Sequence, residues 1–295
     1  MNFFLKRYAQ LGETFDPEEI ELKRSLRVNT VKAGAHDVLV RLKSKKVKLE
    51  KIPFLTDGYF YTSEFSLGST PEYLQGYYYL QEAASQVAAQ VLNPSSEDAV
   101  LDMSAAPGGK TTQMAAMMKN QGVIIALDNE VHRLESLRNN LERLSVSNVI
   151  TYKKDARYVD DLNLYFDKVL LDAPCSGNFA DDRNWFENRN ITGVKDRSKI
   201  QKALLRSAYK VLKPGGTLVY STCTLEPEEN EENVTWILNE YDDIRLETID
   251  IDAGSPGLSE AFGEVYHKDI SKVKRFWPHK SGTQGFFIAK IVKNS

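Results

Sequence analysis

Two cysteines stand in a chain of 295 residues. Cys175 follows the apolar run of "FDKVLLDAPCSGNF", and Cys223 follows that of "TLVYSTCTLEPEENEEN". A thiolate is both a strong nucleophile and a good leaving group, so either position suits covalent chemistry that must later be reversed. A buried cysteine can also be plain core filler. Carboxylates recur in a similar place. Asp102, Asp128, Asp155 and Asp172 lie at the ends of successive apolar runs. Aspartate there is also a common turn former or helix cap, but three such groups at one edge, Asp128, Asp155 and Asp172, weigh against that reading alone.

The elements that must hold these groups alternate from Glu97 onward. Short apolar runs ("DAVLDM", "GVIIALD", "NVITYKKDA", "FDKVLLDAP", "TLVYSTC") are separated by amphipathic segments such as "NEVHRLESLRNNLERL" and "DRSKIQKALLRSAYKV". "IRLETIDI" and "GFFIAKIV" read as a closing pair of strands. Strands separated by helices imply a mostly parallel sheet covered on both faces, with ligands at the carboxyl ends of its strands. The turn from Ser104 to Lys110, "SAAPGGK", joins the first such strand to its helix. It is not a phosphate-binding P-loop, because Ser104 occupies the place of the leading glycine. A dinucleotide G-x-G-x-x-G is also missing. What remains is a Pro-Gly-Gly turn that lets backbone approach a ligand, and a helix N-terminus whose free N–H groups suit a carboxylate. Asp128 is placed to hold ribose hydroxyls and Asp155 to accept from an adenine amino group, which together suggest a nucleoside-bearing cofactor.

Residues 1–80 lack this alternation. "FDPEEIELKRSLRV" suggests a helix opening at Asp16-Pro17, "VLVRLKSKKVKLEKIP" a helix followed by a strand, and "TPEYLQGYYYLQEAASQVAAQVL" an aromatic stretch entering an Ala-rich helix. The net charge of −3 conceals basic ends: +5 over residues 1–55 and +6 over residues 267–295. Such ends suit a polyanion, although lysines also serve simply to solubilise. No apolar run reaches the ~20 residues of a membrane span, and no secretory leader is evident. Two distant cysteines make no disulfide framework, so a reducing cytoplasm is expected, and without a CxxC pair no metal site is expected.

Taken in order, "SAAPGGKTT", "LDNE", "KKDAR", "LLDAPCSGN" and "YSTCTLEPEENE" resemble the motifs of the NOL1/NOP2/Sun family of RNA cytosine-5 methyltransferases. "LRVNT", "YLQEAAS" and "RFWPHKSGTQGFFIAKI" extend the resemblance over most of the chain. Many relatives carry Cys at the position of Ser104, a departure with no loss of activity expected. The resemblance implies an α/β fold: a Rossmann-like class I S-adenosylmethionine-dependent methyltransferase over residues 81–295, with a small N-terminal α+β RNA-binding extension over residues 1–80. S-adenosyl-L-methionine would be held by Ser104, Ala105, Ala106, Pro107, Gly108, Gly109, Lys110, Asp128, Arg133, Asp155 and Asp172. The substrate would be RNA, and the segment "SGNFADDRNWFENR" looks more like compact archaeal tRNA enzymes than bacterial ribosomal ones. That favours tRNA near the variable-loop/T-arm junction, with ribosomal RNA as the alternative and a non-catalytic RNA-binding relative or a cysteine hydrolase less favoured. A monomer is expected.

The chemistry of such an enzyme needs a thiolate. Carbon 5 of cytosine is too electron-poor to take a methyl group directly, whereas addition at carbon 6 makes it an enamine carbon. By resemblance Cys223 is the nucleophile and Cys175 assists proton removal and product release. Asp172 would contact cytosine, and Lys110 would lie near the base or the methionine end of the cofactor. The reverse assignment of the cysteines holds in DNA cytosine-5 methyltransferases, and spacing alone does not separate the two. The acidic run "EPEENEEN" is expected to cap the next helix and face solvent. Of Phe286 and Phe287, one is expected to face inward.

Overall fold

The computed structural model describes residues 2–182 and 184–295. Alternating apolar runs become a large mixed sheet. Strands β5 (Ala99–Asp102), β6 (Val123–Asp128), β7 (Val149–Lys153), β8 (Phe166–Asp172) and β9 (Leu212–Thr222) follow four strands of a smaller sheet: β1 (Ser25–Val28), β2 (Lys48–Lys51), β3 (Gly58–Thr62) and β4 (Tyr78–Leu80). The chain then adds β10 (Ile244–Glu247), β11 (Ser255–Pro256), a two-stranded ribbon of β12 (Glu260–Ala261) and β13 (Glu264–Val265), β14 (Lys274–Phe276) and β15 (Phe286–Lys293). The large sheet runs β11-β14-β15-β9-β8-β5-β6-β7. Its β7, β6, β5, β8 and β9 pair parallel, while β15 lies antiparallel to β9 with Phe287 opposite Thr222. The strand order reverses between β5 and β8, where an open α/β sheet forms its ligand crevice.

Helices cover both faces. They are α1 (Phe3–Gln10), α2 (Ala35–Ser44), α3 (Pro71–Leu74), α4 (Ala83–Leu92), α5 (Gly109–Met117), α6 (Val131–Arg143), α7 (Trp185–Asn188), α8 (Ile191–Val211), α9 (Glu231–Glu240) and α10 (Pro278–Ser281). Side chains of successive strand residues point to opposite faces. Val100, Leu170, Val219 and Ile288 accordingly pack with α4 and α5, whereas Leu101, Val169, Leu171, Leu218 and Tyr220 pack on the face of α8. The same alternation buries both Phe286 and Phe287, one on each face, because β15 is an interior strand rather than an edge. Each such side chain contributes roughly 1.5–3 kcal/mol when fully buried.

Sequence expectation and structure part at the N-terminal segment. Asp16 does cap a helical turn with Pro17 behind it, but the turn ends at Glu19 and the chain enters β1 at Ser25. Residues Glu21–Arg24 are mostly exposed and offer no apolar face to hold a helix. Helix α1 packs away from the small sheet. Its Phe4 and Tyr8 share a cluster with Phe179, Trp185, Val194, Leu225 and Trp277 at the C-terminal edge of the large sheet.

Candidate active site

The Pro-Gly-Gly turn leads from Asp102, the last residue of β5, to the first turn of α5. Gly108 caps α5 with φ of 107°, and a Cβ there would come within 2.8 Å of Leu137. The left-handed backbone favours glycine, and any side chain there would also have to displace the end of Leu137. Buried Asp102 holds the turn from beneath, accepting from Thr111 Oγ1 at 2.7 Å; burial lifts its pKa to about 6.

Around this turn lies a cleft of about 570 Å³ lined by Ser104, Ala106, Asp128, Arg133, Asp155 and Asp172, with Cys175 and Cys223 at its far side. Asp128 closes β6 and is 4% exposed. Its Oδ1 accepts from the Glu130 N–H at 3.0 Å, and its Oδ2 is buried with no hydrogen-bond partner. A buried carboxylate oxygen that makes no hydrogen bond, in a residue lining the cleft, is suited to hydroxyl groups of a ligand. Arg133 donates through Nη2 to Ala106 O at 2.7 Å and brings Nη1 to 3.5 Å from Asp128 Oδ2. It therefore ties the turn to the carboxylate. Asp155 follows β7 and is engaged side-on by Arg157, with Nη2 to Oδ2 at 2.6 Å; the hydrogen bonds from Arg157 hold its carboxyl below the usual range.

The two cysteines meet although 48 residues separate them. Cys175 Sγ and Cys223 Sγ are 3.0 Å apart and both thiols are free. The hydrogen bond to Cys223 and burial push the Cys175 thiol well up, so it rests protonated. Next to them Lys110 Nζ donates to Asp172 Oδ2 at 2.6 Å, while Ser221 Oγ donates to Oδ1 at 2.8 Å. Burial pulls the Lys110 pKa down, but Asp172 more than offsets this and leaves it raised. Lys110 also stands 5.6 Å from the centre of the Phe286 ring. Thiols, lysine, carboxylate and an aromatic wall thus converge where the sheet order reverses.

The expectation of a solvated acidic run is overturned. Glu226, Glu229, Asn230, Glu231 and Asn233 are all fully buried. Glu226 accepts from Tyr8 Oη at 2.8 Å and pairs with Arg7 at 3.1 Å, and Glu231 Oε2 lies 2.5 Å from Arg275 Nη1. Glu229 accepts from Ser176 N–H at 3.1 Å, from Ser176 Oγ and from Gln201 Nε2 at 2.6 Å. Burial lifts Glu226 and Glu229 to about 7. These groups face inward because each meets buried donors that would otherwise be unsatisfied.

Residues 89–292 match the family model "16S rRNA methyltransferase RsmB/F", and residues 4–83 match "N-terminal domain of 16S rRNA methyltransferase RsmF". The chain belongs to the RsmB/F methyltransferase family. Within this RNA cytosine-5 methyltransferase family it is 39% identical, over 98% of its own length and 95% of the relative's, to a tRNA (cytosine(49)-C(5))-methyltransferase of Pyrococcus abyssi. It is 43% identical to a tRNA (cytosine(72)-C(5))-methyltransferase of Pyrococcus horikoshii, over 77% of this chain, and spans about half (55%) of that relative. It is also 38% identical to a human 28S rRNA (cytosine(4447)-C(5))-methyltransferase, of which it spans about a third (36%). Among solved structures, a methyltransferase homolog protein from Pyrococcus horikoshii superposes with a TM-score of 0.90 at 41% identity, covering 98% of this chain and 94% of that one. NSun6 from the same organism, solved with the S-adenosylmethionine analogue SFG, superposes with a TM-score of 0.84 at 30% identity, covering 95% and 92%.

RsmB/F methyltransferases are S-adenosylmethionine-dependent, and the cleft has groups that suit that molecule: Ser104 and Ala106 of the turn, and the Asp128 carboxylate, whose Oδ2 makes no hydrogen bond, for ribose. Ala105, Pro107, Gly108, Gly109 and Lys110, expected at the cofactor, are not among its lining residues. Sequence reading missed Glu229, Asn178 and Arg27. Asn178 donates to Cys223 O at 2.7 Å. Arg27, 2% exposed on β1, donates to Thr112 Oγ1 at 2.9 Å and to Gly109 O at 3.3 Å, bracing the cofactor helix from the small sheet. Glu226, Glu229 and Asn230 lie before α9 begins at Glu231, so no helical period marks them; within the helix Glu231, Asn233, Val234, Ile237 and Leu238 form the inward face.

Proposed function

We propose that this chain methylates carbon 5 of cytosine in RNA through a covalent bond between Cys223 Sγ and carbon 6, and that its substrate is tRNA near the variable-loop/T-arm junction. The observation that carries the chemistry is the 3.0 Å approach of the two sulfurs beside the Lys110–Asp172 pair at the end of the cofactor cleft. Attack by the Cys223 thiolate forms the carbon 6–sulfur bond and shifts an electron pair to carbon 5. Lys110 and Asp172 stand where they can hydrogen-bond the ring as charge moves through nitrogen 3. S-adenosylmethionine, when bound, supplies the electrophilic methyl group. Once Cys223 is bonded to carbon and no longer raises its neighbour, Cys175 can release its own proton to solvent. Its thiolate would then take the carbon 5 proton, the freed pair re-forms the carbon 5–carbon 6 double bond, and the carbon 6–sulfur bond breaks to return the Cys223 thiolate. Asp128 and Arg133 would hold the ribose side and Asp155 the adenine.

The tRNA reading is supported by the near end-to-end match to the cytosine-49 enzyme, and the ribosomal alternative by the relatives named for rRNA. Residues 1–80 would form the RNA-binding extension of a catalytic domain at 81–295. A groove on the small sheet presents Lys23, Arg24, Lys48, Phe60 and Tyr61 beside Glu21 and Glu50, with Lys23 3.9 Å from Glu50, so Arg24, Lys48 and the aromatic rings are the groups that support backbone contact and stacking. Not all the basic charge is available for this, since Arg7, Arg27 and Arg275 are spent on internal contacts. Action as a monomer is part of this proposal, and the free thiols suit a reducing cytoplasm. Among the described residues no helix is long and apolar enough to cross a membrane.

The test is methyl transfer from tritiated S-adenosylmethionine to unmodified tRNA and, separately, to ribosomal RNA, with the modified position mapped. Label at a cytosine of the variable-loop/T-arm junction is expected. Label in ribosomal RNA alone would leave the chemistry standing and overturn the substrate.

A further inference from the structure

Glu229 lies under both cysteine-bearing turns and touches neither sulfur. On one side it accepts from the N–H and hydroxyl of Ser176, the residue after Cys175, and from Gln201 Nε2, which also donates to Pro174 O at 2.9 Å. One carboxylate therefore reaches both flanks of Cys175, alongside Trp185 Nε1 and Arg189 Nε, which donate to Ser176 O at 2.8 and 3.0 Å. On the other side Ser176 Oγ reaches Thr224 Oγ1 at 2.9 Å, next to Cys223. All the groups facing the carboxylate are donors, and only a carboxylate presents acceptors alone. Gln201 is fixed in that orientation, because its Oε1 accepts from Asn233 Nδ2 at 2.8 Å.

Cys223 has anchors of its own. Thr222 pairs with Phe287 across the sheet and donates through Oγ1 to Asn230 at 2.6 Å; a further bond to the Cys223 carbonyl comes from Asn178, three residues beyond Cys175 on the Cys175 turn itself. Cys175 has no strand pairing, because β8 ends at Asp172. Loss of the Glu229 carboxylate would therefore disturb the Cys175 turn more than the paired strand that carries Cys223.

From this asymmetry we infer that Glu229 is a positioning residue that sets Cys175 against Cys223, and that it serves release of the methylated base rather than attack. The inference rests on the cysteine roles proposed above. A Glu229→Gln chain keeps the size but turns an amide donor onto the donors of Ser176 or Gln201.

The experiment follows Glu229→Gln, Ser176→Ala, Cys175→Ala and wild type on unmodified tRNA, reading single-turnover methyl transfer, steady-state turnover and gel-stable adduct. Glu229→Gln is expected to keep methyl transfer within about threefold, to lose about tenfold or more in turnover, and to accumulate adduct. Ser176→Ala removes only the hydroxyl link and should shift the same readings about threefold, which serves if Glu229→Gln fails to fold. Unchanged turnover, or transfer and turnover falling together without adduct, would overturn the inference. Wild type on 5-fluorocytosine RNA separates the two failures. If it traps adduct and Cys175→Ala accumulates it, a silent Glu229→Gln defeats this inference alone; if it traps none, the cysteine chemistry itself falls and takes the inference with it.

Discussion

Asp128→Asn isolates the cofactor site from the chemistry. Asparagine has the same size and keeps an oxygen for the Glu130 N–H, so the β6–α6 turn retains its bond. What changes is Oδ2, which becomes an amide donor beside Arg133, 3.5 Å away, and loses its charge. In a site only 4% exposed a hydroxyl bond to a carboxylate is worth ~1.5–3 kcal/mol. At 1.4 kcal/mol per tenfold, affinity should fall about 10- to 150-fold. The assay is calorimetric titration with S-adenosylhomocysteine, which needs neither RNA nor turnover. A change below about threefold, in a protein of unaltered Tm, would refute the assignment of Asp128 to the ribose side.

Two further outcomes are expected. Lys110→Met leaves Asp172 with Ser221 as its remaining side-chain partner, so single-turnover transfer should fall about 100-fold with cofactor affinity less affected; a loss below about threefold would remove Lys110 from the chemistry. Stability should rise on acidification. Burial holds Glu82, Glu226 and Glu229 at about 7 against 4.5 when unfolded, and Asp102 at about 6 against 3.8. Between those limits the folded chain binds more protons, so their contribution is full below the unfolded values and is lost as pH rises through the folded ones. His279, lowered from 6.5 by burial, acts oppositely but is one group against six, since burial raises Asp57 and Asp181 as well. Carboxyls held low, such as Asp155 and Asp167, matter only nearer pH ~4. Tm should therefore climb from about pH 8 to about pH 5; a flat or falling Tm would contradict the burial of these carboxyls.

Strands β5 to β9 were legible because each is an apolar run with an aspartate or cysteine at or near its end, a pattern that survives without tertiary information; β11 and β14, two and three residues long, carry no such pattern and were not legible. The meeting of Cys175 with Cys223 was legible only through family resemblance, since spacing along the chain says nothing about proximity across β8 and β9. Glu226, Glu229 and Glu231 were misjudged because a carboxylate is ordinarily solvated. Their burial depends on Tyr8, Ser176 and Arg275, partners that composition does not place. The segment after Asp16 misled for a related reason. Its local helix signals are genuine, but pairing of Leu26 with Tyr59 and Leu80 decides the structure there.

The central claim is that Cys223, not Cys175, bonds to cytosine. Wild type, Cys223→Ala and Cys175→Ala would be incubated with S-adenosylmethionine and 5-fluorocytosine RNA, digested, and the RNA-linked peptide identified by mass spectrometry. The account predicts a nucleotide adduct on the peptide carrying Cys223 in wild type and in Cys175→Ala, and none in Cys223→Ala. An adduct on Cys175 that persists in Cys223→Ala would contradict it and exchange the two catalytic roles.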